Sequence, residues 1–259
     1  MAQWKHLQKS VATLLKAGLY SDLAAQFTQK AFGTALYVDV VLDLARFRSA
    51  ERPGTNLTIR PIEAADEAAL QGVLSDKSLP ATDRLEASRR IAMLATGLKT
   101  CYVVCDSSGN ARYMQWLILP SENESLRRLY GSWYPQLEPE EALFENAFVF
   151  PAYRGTGIFP PAFAKVIDLA RESGVKRIVS SIISTNVLSL RSFASLGFRP
   201  TQIRIERRSF GRSHRMAVPY ALQTEDALSA LGLPGPVIRL MRRDSVGAFD
   251  AHSLTGKRS

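Results

Sequence analysis

Apolar positions along the first fifty residues recur at helical spacing. Trp4, Leu7, Val11, Leu14 and Leu15 form one stripe, with Lys5, Lys9 and Lys16 distributed around it. Gly18 is a plausible stop, and Ser21-Asp22 can start a second helix over Leu23 to Phe32. The run ALYVDVVLDLARF fits either a strand or a short helix. Glu51-Arg52-Pro53-Gly54 breaks the pattern and marks a boundary, so residues 1–55 read as an N-terminal helical extension. Its basic amphipathic start can pack on its own domain or lie on a membrane surface.

From Leu57 the period changes. LTIRPI alternates as a half-buried strand does, and Ala64–Leu74 and Ala81–Thr96 follow as helices. CYVVC, the turn Asp106–Asn110 and RYMQWLIL make a hairpin by composition. Residues 121–142 form a long polar and aromatic connection with Tyr130, Trp133 and Tyr134, expected to cover a substrate. An apolar strand from Ala147 to Phe150, a loop and a helix capped by Gly174 come next. VKRIVSSII is then a β-branched strand, Val187–Leu196 a short helix, and Phe198–Arg207 with Arg215–Leu222 a second hairpin. Residues 223–259 read as a partly irregular C-terminal extension, frayed after Val246.

The composition of the 259 residues is that of an ordinary globular protein. With no apolar run of the ~20 residues that span a bilayer and no leader-like start, a cytoplasmic protein is expected. The net charge of +9 is concentrated after residue 198, where eleven Lys/Arg face five Asp/Glu. Arg207, Arg208, Arg212 and Arg215 crowd one turn there. They would suit an anionic partner such as a nucleotide, an acidic carrier protein or a membrane surface, or they simply solvate a hairpin. No nucleic-acid motif accompanies them. Cys101 and Cys105, four apart on one strand, lie ~13 Å apart and cannot pair, so buried structural thiols are expected. With His6, His214 and His252 well separated, no metal constellation is expected.

The most specific segment is FENAFVFPAYRGTGIFPPAFAKVIDLARES. A strand, a glycine loop and a helix start converge backbone N–H groups and the positive end of the helix dipole on one spot, which suits a pyrophosphate. Gly155 and Gly157 allow positive φ and close approach, and Arg154 adds a permanent cation.

VFPAYRGTGI resembles the acetyl-CoA loop of the GNAT (N-acetyltransferase) superfamily, usually Arg/Gln-x-x-Gly-x-Gly/Ala. Arg154 and Gly157 fit, while Phe159 replaces the final small residue. Asn186-Val187-Leu188-Ser189 followed by Phe193-Ala194-Ser195-Leu196-Gly197-Phe198 is similar to that family's second signature. The resemblance covers roughly residues 56–222. It implies an α/β acyltransferase fold with a mixed, mostly antiparallel central sheet flanked by helices. It implies acetyl-CoA or another acyl-CoA as co-substrate and no metal. Backbone N–H groups of Arg154, Gly155, Thr156, Gly157, Ile158 and Phe159 would hold the pyrophosphate, with Phe148, Asn186, Ser189 and Phe193 also at the cofactor. Pantetheine would pair with the edge Ala147–Phe150, and the Val149 N–H would polarise the thioester carbonyl. Asn186 can equally cap the Val187 helix.

A tyrosine that family members carry to protonate the leaving thiolate is here Phe193, which has no proton to give. Glu145 is the leading candidate for a general base and Glu141 the second; each also reads as a solvated carboxylate at a strand start. The resemblance implies acetyl transfer to a small primary amine of amino-sugar or amino-acid type in a ternary complex. The alternatives are long-chain transfer from an acidic acyl carrier protein, and a non-catalytic relative that binds CoA or an acyl metabolite.

Overall fold

A computed structural model describes residues 32–47, 56–209, 212–233, 235, 238 and 239. The strands are β1 (Phe32–Asp43), β2 (Thr58–Pro61), β3 (Cys101–Cys105), β4 (Ala111–Ile118), β5 (Glu141–Val149), β6 (Arg177–Ile183), β7 (Arg199–Ser209) and β8 (Arg212–Pro219). The helices are α1 (Ala64–Ser75), α2 (Ala81–Leu94), α3 (Asn123–Tyr130), α4 (Phe159–Glu172), α5 (Val187–Ser195) and α6 (Glu225–Ala230). All eight strands join one sheet in the order β2-β3-β4-β5-β6-β1-β7-β8. Its neighbours run antiparallel except β5 and β6. This is the mixed, mostly antiparallel α/β architecture expected.

Each face of the sheet carries a core, as strand alternation requires. On one, Phe144, Tyr113, Ile178, Ile203 and Val38 pack with Phe163, Val166 and Ile167 of α4 and Phe193 of α5. On the other, Trp116, Met114, Leu143 and Phe148 pack with Leu70 of α1, Met93 of α2 and Leu126 of α3. α4 is amphipathic and buries Ala162, Phe163, Val166, Ile167 and Ala170.

The run left open between strand and helix is a strand, and it is internal. β1 pairs antiparallel with β6 on one side and β7 on the other. Val38, Val40 and Leu42 are buried on the α4 face, while Tyr37 and Asp39 take the other face. The helical reading of residues 1–55 is therefore corrected at 32–43, and the sheet crosses the boundary drawn at residue 55. The two helices expected over Trp4–Phe32 (save Phe32, which opens β1), the break at 51–54 and the frayed end after Val246 lie outside the described residues. Residues 121–142 are not a plain connection: they contain α3, which buries Leu126 and Leu129, and Leu137 anchors the stretch that follows. In the C-terminal stretch α6 buries Leu228, and Leu233 and Ile238 join the core. Among the described residues no helix is long and apolar enough to cross a membrane.

Candidate functional site

The parallel pair β5–β6 is where the sheet opens. Register holds only for Glu141 with Arg177, Ala142 with Ile178 and Leu143 with Val179, after which the strands part. At the fork the Ser180 hydroxyl donates to the Phe144 carbonyl (2.9 Å). β5 stays paired with β4, but with a register shift opposite Gln115, between the Met114–Phe148 and Trp116–Glu145 pairs. Asn146 sits in that shift at φ 54, a left-handed conformation asparagine tolerates better than most residues.

Beyond the bulge the direction of each peptide follows from one bond. The Phe150 N–H donates to the Arg112 carbonyl (3.1 Å), which makes 150 with 112, and 148 with 114, the bonded pairs. Peptide groups of Ala147 and Val149 then face away from β4, into the gap. Their carbonyls accept from guanidiniums: Ala147 from Arg90 Nη2 (2.9 Å) and Val149 from Arg154 Nε (3.2 Å). Of the strand expected to offer an edge, only 147 and 149 offer backbone there. Phe148 bonds to β4 and its side chain is buried in the core.

The glycine loop lies at the end of β5. Gly155 and Gly157 have φ of 74 and 75, conformations that a Cβ disfavours, and a Cβ built on Gly155 would meet nothing within 4 Å. The loop side is thus open to a ligand. The Thr156 hydroxyl ties back to the Tyr153 carbonyl (2.7 Å). Ile158 precedes α4, whose first turn carries Pro160 and Pro161, residues without an N–H. Arg154 forms an ion pair with Asp83 of α2 as well as reaching Val149, so its charge is already partnered. The Phe159 ring points inward, with centroids 5.8 Å from Tyr113, 5.6 Å from Phe163 and 6.4 Å from Phe193. Phe193 is buried against Phe163 and Phe198. Asn186 caps α5 by accepting the Ser189 N–H (3.1 Å). Both residues stand at the β6 end of the gap.

Glu145 is not at a strand start. It lies mid-β5, part-buried, two residues past the fork. Burial pushes its carboxyl up from 4.5 to about 7, opposed by the Tyr134 hydroxyl that donates to it and by Arg204. Tyr134 comes from the stretch after α3, so the expected cover closes over this carboxyl. Glu141, by contrast, is ion-paired with Arg177 (3.0 Å) where β5 and β6 are still joined.

Sequence reasoning missed the polar group beside Glu145. Tyr37 and Asp39 of β1, Ser181 of β6, and Gln202, Arg204, Glu206 and Arg208 of β7 lie on this face of the sheet. Arg204 binds Asp39 (2.7 Å) and Ser181 (2.5 Å), bonds to the Trp133 carbonyl, and stacks 4.4 Å from the Trp133 ring. Trp133 also packs against Tyr37 (4.7 Å). A charged residue at an outward position of an apolar strand, such as Asp39, was the available signal. The cysteines are buried free thiols whose pKa values burial raises, away from this cleft.

A family model for the acetyltransferase (GNAT) domain matches residues 56–199, more than half of the chain. Similar solved structures include a Drosophila protein (16% identity, 73% of this chain and 55% of that one, TM-score 0.41). A GNAT-family acetyltransferase from Colwellia psychrerythraea aligns at 14% identity over 71% of this chain and 59% of its own, TM-score 0.45. A GCN5-related N-acetyltransferase from Sphaerobacter thermophilus aligns at 14% over 76% and 56%, TM-score 0.43. The chain thus spans little more than half the length of these structures. No curated protein matches it.

Proposed function

We propose that this chain, which belongs to the GNAT acetyltransferase family, is an acyl-CoA-dependent N-acyltransferase acting on a small primary amine, with acetyl-CoA as the leading donor. The observation that carries the reading is the Val149 N–H facing the β5–β6 gap, four residues beyond Glu145 and followed by a loop with two left-handed glycines. The residues present fit a CoA thioester. The open side of Gly155 and the N–H groups of Gly155, Gly157, Ile158 and Phe159, at the positive end of α4, suit a pyrophosphate, whereas the Arg154 and Thr156 N–H groups already donate to the Pro151 and Tyr153 carbonyls. Bound there, the co-substrate supplies an activated acyl group.

The chain's own residues do the rest. The Val149 N–H stabilises negative charge developing on the acyl oxygen, a contribution for which one such donor is worth about 10²–10³ in rate. Glu145, near half-ionised at neutral pH, takes a proton from the incoming ammonium so that its nitrogen can bond to the acyl carbon. The carbon–sulfur bond breaks with its electron pair going to sulfur, and the second proton that the acylated nitrogen must lose to become a neutral amide passes to solvent. Phe193 cannot protonate that sulfur, and an unaided thiolate is tolerable because a thiol pKa is about 8.5. Arg90 and Arg154 must release the Ala147 and Val149 carbonyls if a pantetheine arm is to pair along the edge. The phosphate site accordingly rests on backbone amides more than on Arg154.

Val149→Pro tests this directly, because it deletes the N–H without removing a bond to β4. Measured by thiol release over a panel of primary amines, kcat should fall about 10²–10³-fold while CoA still binds. Wild-type protein that binds no CoA by calorimetry would overturn the proposal.

A second reading, long-chain transfer from an acyl carrier protein, is favoured by the groove along β7–β8, lined by Arg207, Arg212, His214 and Met216 with no acidic residue among the described lining residues. Comparing acetyl-CoA with acyl-carrier donors separates the two.

A further inference from the structure

The arginines in front of Glu145 are not equivalent. Arg204 uses all three guanidinium nitrogens internally, on Asp39, the Trp133 carbonyl and Ser181, so it holds the cleft together. Arg208 and Arg215 converge instead on a single carboxylate, Glu206, which is 2% exposed. Arg208 takes one oxygen. Arg215 takes the other through Nε (3.3 Å) and otherwise stacks 4.9 Å from Trp133. Two cations thus share one anion, and each guanidinium keeps N–H donors to spare. Their side chains are 29% and 38% exposed, so a ligand can reach them. A buried acid bracketed by two arginines is a preorganised fork for an anion, with one positive charge in excess.

Tyr37 links this fork to the chemistry. It pairs with Arg204 of β7 on one side and Ile183 of β6 on the other, so it stands on a strand between those that carry the fork and the proposed base. β6 and β1 separate β5 from β7, so three strand spacings, about 14 Å, is the least their backbones can be apart; Leu143 is level with Val179, Val41 and Arg199, which puts Glu206 and Arg208 farther along the sheet than Glu145 and adds to that span. Side chains reaching in from both ends leave room for several bonds. Trp133 and Tyr134 wall the space.

We propose that the acceptor amine carries an anionic group, a carboxylate or a phosphate, several bonds from its nitrogen, and that Arg208 and Arg215 bind it. This rests on the acyltransferase reading. It also assigns β1, outside the family-matched residues, a share of the acceptor site through Tyr37 and Asp39.

The test compares length-matched acceptors with acetyl-CoA as donor: linear alkylamines, ω-amino acids and aminoalkyl phosphates. The anionic acceptors should exceed the alkylamine at least tenfold in kcat/KM, and the larger preference identifies the anion. Arg215→Gln keeps Arg208 on Glu206 and so leaves no orphaned buried carboxylate; it should cut that preference about tenfold, and Arg208→Gln likewise. Arg46→Gln, in the exposed turn after β1, should preserve it. Equal use of neutral and anionic amines, or an unchanged preference in both variants, overturns the proposal. Calorimetry with the ω-amino acids and no donor reads the site independently. Binding lost in Arg215→Gln without any turnover sustains the anion fork and sinks the acyltransferase reading; turnover without charge preference does the reverse.

Discussion

Replacing Glu145 by Gln should make the protein more stable at alkaline pH and nearly inactive. The carboxyl is displaced from 4.5 to about 7 chiefly because burial penalises its charge. A displacement of that size corresponds to about 3 kcal/mol. The folded state holds the proton more tightly than the unfolded chain. Stability from this group is therefore fully present below pH 4.5 and is lost as pH rises through about 7. Glutamine is neutral throughout and can still accept the Tyr134 hydroxyl. Unfolding free energies of variant and wild type from urea titration should nearly coincide at pH 4 and diverge by up to about 3 kcal/mol in the variant's favour at pH 8. In the same experiment series, the wild-type kcat/KM should rise with pH through an apparent pKa near 7, as the base form of Glu145 appears. In the variant that limb should vanish and the rate fall about 10²–10⁴-fold, leaving only the rise from deprotonation of the amine itself. A variant less stable than wild type at pH 8, or one keeping the limb near 7, would refute the reasoning.

Trp133→Ala should loosen the cover over Tyr134 and Glu145, hydrate the carboxyl and move the acid limb of the pH–rate profile downward; an unmoved limb would show that Trp133 does not govern this burial. Phe193→Tyr should not raise activity, because the residue is 6% exposed among Phe159, Phe163 and Phe198, and a hydroxyl buried there without a partner should lower stability by about 1–3 kcal/mol in urea unfolding. Gly157→Val should abolish CoA binding by calorimetry and, because φ is 75 there, also cost about 1–2 kcal/mol of stability.

Much of this fold is written in local period. Alternation gave LTIRPI, composition gave the CYVVC hairpin, 3.6-residue spacing gave α1, α2 and α4, and the glycines at 155 and 157 take the positive φ expected of them. What depends on distant pairing was not legible. ALYVDVVLDLARF has apolar residues on alternate positions and a polar Asp39 between, yet only its two strand neighbours, at the nearest Arg177 paired with Asp43, decide that it is extended. The side-chain partners of Arg154 (Asp83) and Glu145 (Tyr134) come from α2 and from the stretch after α3, and nothing in the loop motif announces them. Phe159 and Phe193 looked like departures from a pattern; packed against each other they form one aromatic layer under the loop.

Because β1 lies between β6 and β7, this domain has a seam that is closed by the earliest-made of its described strands. During synthesis β1 must wait for both partners to emerge, so the sheet cannot zip up progressively from its start. A version beginning at residue 56 would leave two raw flanks facing each other across an empty lane, each a template for adding a stranger's backbone. An extended peptide of sequence FGTALYVDVVLD, supplied separately, should dock in that lane and restore solubility to the shortened protein.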